Sequence, residues 1–189
     1  MSNHLDYEIN KELGECYLFM GELDKAEEYY KKAASSNGVH PDPYLGLATI
    51  AVQRGKLEEA FVLYKKADAI ESSDKTLSGM GLIHMDRGQH EEAMDAFTQA
   101  LERNPDNMVA MSGLVQMGYA LNRVADIVPI LSDSLSQNPG KDAVRFSLAG
   151  GLIWLGRNEE AKEHLELLLE KDPENEGAQQ LYAKAGGQL

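Results

Sequence analysis

The residue that most constrains this chain is a glycine that keeps returning. It stands at Gly21, Gly55, Gly88 and Gly156, with Asn122 at the remaining beat, so the spacings are 34, 33, 34 and 34 residues. Five residues after each mark comes a small or aliphatic side chain, Ala26, Ala60, Ala93, Ile127 and Ala161. Four residues further comes an aromatic or a leucine: Tyr30, Tyr64, Phe97, Leu131 and Leu165. A period of this length marks a supersecondary unit that cannot bury its own apolar face and forms a core only by stacking on its neighbours. The 189 residues are therefore expected to form one elongated all-α domain whose function lies in the surface it displays.

Each unit reads as two antiparallel helices, A and B, joined by a tight turn. In the first, Leu13, Gly14 and Tyr17 mark the inner face of helix A, Gly21 supplies a left-handed turn, and Ala26, Tyr30 and Ala33 mark helix B. Offsets of three and four are one stripe of a 3.6-residue helix. The repeats are expected at about 7–40, 41–73, 74–107, 108–141 and 142–175, followed by a cap helix at about 176–186 with Gly186 and Gly187 fraying beyond it. Asp42 followed by Pro43 reads as an N-cap and a first helical proline. Asn104 to Asn107 and Asp172 to Asn175 each read as the end of one helix and the cap of the next.

The fourth unit departs most. Val115 replaces a close-packing glycine, Gly118 an aromatic, and Ile127 the small residue of helix B, while Pro129 lies where helix B should run. A proline inside a helix costs about 3 kcal/mol, whereas one in the first turn removes no internal bond. This helix is accordingly expected to start late, with Asp126 as N-cap.

Charge and chemistry narrow the function. The net charge of −13 repels nucleic-acid phosphates and anionic membranes, so neither nucleic acid nor membrane insertion is expected. The acids gather at the start of each helix B, as in Glu58/Glu59 and Glu159/Glu160, and are expected to form a solvated face that complements helix dipoles. One cysteine, Cys16, excludes an internal disulfide and is expected as a small buried thiol. The five histidines include no metal-ligand pair with a third carboxylate, and His84 reads as a core histidine bonded to a neighbour. Gly79-Met80-Gly81 lacks the strand and the lysine of a nucleotide loop and reads as helix packing. Neither catalysis nor a cofactor nor a metal is implied. With no signal segment or bilayer-length apolar run, the expected location is cytoplasmic.

Taken together, Leu-Gly-x-x-Tyr, then Gly, then Ala-x-x-x-aromatic-x-x-Ala, then Pro, on a 34-residue period, resembles the tetratricopeptide repeat over roughly residues 7 to 175. The first two copies lack the terminal proline and every copy lacks the early tryptophan. The resemblance implies a right-handed superhelical solenoid of antiparallel helix pairs whose A helices line a concave, peptide-binding groove. Its register assigns to that groove Lys11, Glu15, Leu18 and Phe19, then Leu45, Thr49, Val52 and Gln53, then Ser78, Leu82, Met85 and Asp86, then Ser112, Gln116 and Tyr119, and finally Phe146, Gly150, Ile153 and Trp154. One version of the family grips acidic tails with lysine, arginine and asparagine at these positions. Only Lys11 fits here, so the implied ligand is an apolar or amphipathic peptide or helix of a partner protein. Phe146, beside the room left by Gly150 and Gly151, reads as ligand-facing; Leu18, Val52, Met85 and Ile153 read either as ligand-facing or as packed between neighbouring A helices, and Trp154 either as ligand-facing or as covered by the cap.

The first expectation is a non-catalytic scaffold or adaptor. The alternatives are a small acidic secretion-type chaperone, against which stands the lack of a dimerising helix in the short Met1 to Asp6 stretch, and a self-assembling scaffold that pairs through Tyr7, Ile9 and Phe19.

Overall fold

The structure is a computed structural model that describes residues 2–187. Among the described residues there are eleven α-helices and no strand. They are α1 (Ser2–Phe19), α2 (Leu23–Ser36), α3 (Asp42–Gln53), α4 (Leu57–Ile70), α5 (Asp74–Asp86), α6 (His90–Arg103), α7 (Met108–Ala120), α8 (Val124–Gln137), α9 (Asp142–Trp154), α10 (Asn158–Lys171) and α11 (Glu176–Lys184). The odd-numbered helices up to α9 are the A helices and the even-numbered ones the B helices. They fall into two compact units, Met1–Ala110 and Met111–Leu189.

In the first unit the recurring glycine does what its period requires. Gly21 has φ +76° and donates its N–H to Leu18 O at 3.0 Å, while Glu22 N–H reaches Tyr17 O at 2.9 Å. These two bonds close the carbonyl end of α1 and are available only to a left-handed residue. Gly55 and Gly88 repeat the arrangement after α3 and α5.

A second device stacks the repeats. The Tyr30 ring lies so close to Gly14 of α1 and Gly46 of α3 that a Cβ there would stand 2.9 and 2.2 Å from it. Tyr64 meets Gly79 of α5 in the same way, at 2.4 Å, and Phe97 meets Gly81 at 2.7 Å. The B-helix alanines Ala26, Ala33, Ala60, Ala67, Ala93 and Ala100 are all fully buried. Burial pushes the Tyr30 phenol up to about 12.

Several boundaries differ from expectation. Residues 2–6 open α1, which at 18 residues outruns the 12 of α3. Tyr7 is only 1% exposed, stacks on His40 with ring centroids 4.6 Å apart, and donates its hydroxyl to Asp42 Oδ2 at 3.2 Å. It is therefore engaged inside the unit, with no face left for self-pairing. Asp42 lies in the first turn of α3 after Pro41, not at its N-cap. Ser73 forms a reciprocal capping box with Thr76 at the start of α5. Asn107 accepts from Ala110 N at 2.9 Å, and its Nδ2 donates to Asp74 Oδ2 at 2.8 Å, as Asn104 Nδ2 does at 2.9 Å.

Cys16 is exposed rather than buried. One and two periods on, Ile50 and Ile83 pack on the preceding repeat, among Ala26 and Tyr30 and among Ala60 and Tyr64. Among the described residues α1 has no preceding repeat to cover the equivalent position.

The acidic starts of the B helices carry more than solvation. Arg54, just past α3, pairs with both Asp24 and Glu27 of α2. Arg87, one period later, grips Glu58 of α4 through Nη2 at 2.6 Å and Nε at 3.1 Å. Lys31 first and Arg54 second hold the Glu27 carboxyl down at about 2.

In the second unit Asn122 takes φ +56° and the role of the glycine, donating to Tyr119 O at 3.2 Å while Arg123 N–H reaches Gly118 O at 2.7 Å. Helix α8 then begins on schedule at Val124, so Pro129 sits in its interior rather than its first turn. The turn and the buried side chains Val124, Ile127 and Leu131 set the start, and the proline is absorbed. Arg145 of α9 is buried, donating to Pro139 O at 2.7 Å and lying 3.4 Å from His164 Nδ1. Helix α11 packs on α10 and α9, capped by Asn175 Oδ1 accepting from Ala178 N at 3.0 Å. The N–H groups of Gly186 and Gly187 bond Ala183 O and Tyr182 O at 3.0 and 2.9 Å, with Gly186 at φ +84°.

Three outcomes follow for stability, each read by urea denaturation. Gly46→Ala destabilises by about 1–3 kcal/mol because its methyl meets the Tyr30 ring, although alanine is the better helix former. Pro129→Ala, at an exposed interior position, stabilises by about 1–3 kcal/mol by restoring a helix bond. The third concerns pH: the Glu27 carboxyl is lowered from 4.5 to about 2, so the unfolded chain binds its proton more readily. Its stabilisation is present above pH ~4.5 and lost as pH falls towards ~2, so Glu27→Gln shows a flatter decline across that window than the wild type.

Candidate interaction face

The register assigns the exposed side of the A helices to a ligand, and each unit presents its own stretch of it. In the first unit Phe19 is 95% exposed at the end of α1, and Glu15 and Gln53 are exposed. Lys11 is half-buried, pairs with Glu8 at 3.0 Å, and lies 5.9 Å from the centre of the Tyr7 ring. Its charge is therefore already engaged. Thr49 is half-buried and donates to Leu45 O at 3.0 Å. Ser78 is buried, donating to Lys75 O at 3.3 Å and accepting from Asn107 Nδ2 at 3.4 Å, so it belongs to packing rather than display.

Between α3 and α5 the surface opens into a recess of about 290 Å³ lined by Val52, Leu57, Leu82, Ile83, Met85 and Asp86. Tyr64 and Gly79 complete its lining, and Asp86 is the one charged side chain. The register named Val52, Leu82, Met85 and Asp86 from the A helices. It missed Leu57 because that residue opens a helix B, whose contribution to this face depends on how the turn after Gly55 folds back. His84, on the same helix, bonds Gln89 Oε1 through Nδ1 at 2.9 Å and meets the Phe61 ring edge-on at 5.1 Å.

In the second unit Ser112 and Gln116 are exposed. Tyr119 and Trp154 meet edge to face, with centroids 5.3 Å apart and planes at 85°. Trp154 remains 57% exposed and is not covered by α11. Burial raises the Tyr119 phenol above its usual range. Gly150 gives the Tyr119 hydroxyl room, since a Cβ there would lie 3.2 Å from it; Gly151 instead faces Val128. Phe146 does not use that room. It is 37% exposed and lies against Gly177 of α11, where a Cβ would come within 3.3 Å of its ring. Sequence reasoning placed Phe146 beside its own helix's glycines, but those glycines are filled from α7 and α8.

Among the described residues no group of three or more His, Cys, Asp or Glu side chains is placed to hold a metal ion, and no helix is long and apolar enough to cross a membrane.

Comparison with known proteins agrees with this architecture. Three family models, each described as tetratricopeptide repeat, match residues 11–74, 75–107 and 119–185. The BBSome complex member BBS4 of Bos taurus is 30% identical over 110 residues, 58% of this chain, which spans 21% of that relative's length. The solved structure of Pseudomonas aeruginosa pilF is 20% identical with a TM-score of 0.75, covering 100% of this chain and 80% of that one. The first tetratricopeptide domain of Spaghetti (RPAP3), solved with the HSP90 peptide SRMEEVD, is 25% identical with a TM-score of 0.58, covering 62% of this chain and 94% of that one. The turns, the glycine-aromatic contacts and these matches make the chain a member of the tetratricopeptide repeat family.

Proposed function

We propose that the chain is a non-catalytic interaction scaffold whose A helices receive an apolar or amphipathic peptide or helix of a partner protein. The observation that carries this reading is the Tyr119–Trp154 pair: two large rings held against each other with Trp154 more than half exposed. Leaving an indole in water forgoes its burial, and rigid aromatic side chains are what dominate protein interfaces. In the first unit Phe19, Val52 and Leu82 are likewise exposed on A helices. The SRMEEVD peptide seen with Spaghetti ends in acidic residues; this chain offers only Lys11 at matching positions, and Glu8 already holds it. An acidic tail is therefore not the ligand proposed.

A second reading, a chaperone for an aggregation-prone partner, gains from α1. The helix reaches back to Ser2 and leaves Leu5 62% and Ile9 47% exposed, an apolar surface that supports this reading. Co-expression separates the two, because a chaperone keeps soluble a partner that precipitates alone, whereas a scaffold leaves the partner's solubility unchanged.

The scaffold reading is tested by capturing partners with wild-type protein and with Tyr119→Ala and Trp154→Ala, each variant first confirmed helical and monodisperse. Each truncation is expected to cost about 2 kcal/mol or more of binding, roughly thirtyfold in affinity. Retention of the same partner at unchanged affinity by both variants removes the aromatic pair from the binding face.

A further inference from the structure

The recess between α3 and α5 has a chemistry of its own, and an inference about it rests on the reading of the A helices as a binding face. Its walls are the apolar side chains Val52, Leu57, Leu82, Ile83 and Met85, and its volume of about 290 Å³ admits one leucine- or phenylalanine-sized group. Its electrostatics are one-sided. Asp86 is exposed and makes no ion pair among the described residues. The carbonyl ends of α3 and α5 beside it are closed by the turns at Gly55 and Gly88, and α4 starts at Leu57 in the same wall, so the sign of the rim rests on the Asp86 carboxylate. The nearest cations in sequence cannot offset this. Arg54 is turned to Asp24 and Glu27, Lys56 to Glu59 at 3.3 Å, and Arg87 to Glu58 and the face of Phe61, 4.3 Å from the ring centre.

We propose that this recess takes an apolar side chain from a partner segment in which the flanking residue is lysine or arginine, the cation resting on Asp86. The apolar walls supply burial and the rim supplies sign: a neighbouring carboxylate on the ligand meets like charge, and the net charge of −13 opposes its approach. The preference is for a basic amphipathic segment, the reverse of an acidic tail.

The test uses the whole chain, isotope-labelled, and two acetylated, amidated tetrapeptides: lysine-leucine-phenylalanine-lysine, and the same peptide with glutamate for both lysines. Titration of the first is expected to shift the amide and methyl signals of Val52, Leu82 and Met85 saturably. The glutamate peptide binds at least severalfold more weakly. Asp86→Asn, an exposed change that leaves the fold intact, weakens the lysine peptide about two- to fivefold, as a partly exposed ion pair does. Equal binding of the two peptides, or binding unmoved by Asp86→Asn, overturns the charge selection. Shifts confined to the Tyr119 and Trp154 region overturn the recess while leaving the A-helix reading in place. No shift on any A helix at millimolar peptide overturns both.

Discussion

Everything in the two units depends on a left-handed residue closing each A helix. With two hydrogen bonds it ends the helix and reverses the chain within three residues, which sets the rotational phase at which helix B returns. Phase is what matters, because Ala26, Ala60 and Ala93 are fully buried and tolerate no larger group at the crossing. Asn122 shows that the requirement is conformational. It reaches φ +56° and makes the same two bonds, asparagine being the side chain besides glycine that most readily accepts this region.

Once phase is fixed, the aromatic of helix B carries the stacking. Tyr30 touches a glycine of its own helix A and a glycine of the next, so a single ring sets both distances at once. Charge follows the same geometry: Arg54 and Arg87 occupy equivalent places beside the turn and each reaches back to acids on the preceding helix B. The acidic clusters thus face cations delivered by the period. Taking those arginines out of circulation leaves the rim of the recess negative.

The helix pairs, the turns and the buried alanines were legible in the sequence because each depends on residues a few positions apart. What was not legible depends on packing between repeats. Cys16 looks like a buried small residue by type and is exposed by position. Phe146 shares a helix with Gly150 and Gly151, yet those gaps are taken by Tyr119 and Val128 from other helices, and Phe146 meets Gly177 instead. The recess escaped for the same reason, since Leu57 joins it from a B helix.

The fourth copy shows the same lesson in reverse. Read along the chain, Gly118 for an aromatic and Ile127 for alanine are two separate losses. In space they are one exchange. A Cβ on Gly118 would lie 2.8 Å from Ile127 Cδ1, so the isoleucine of helix B occupies the space that the missing side chain of helix A leaves open. Swapping large and small across a contact conserves volume, and cores tolerate such swaps far better than a one-sided change. With the crossing preserved, α8 keeps its starting point and its buried face of Ile127 and Leu131, and the burial of that face outweighs the bond lost at Pro129.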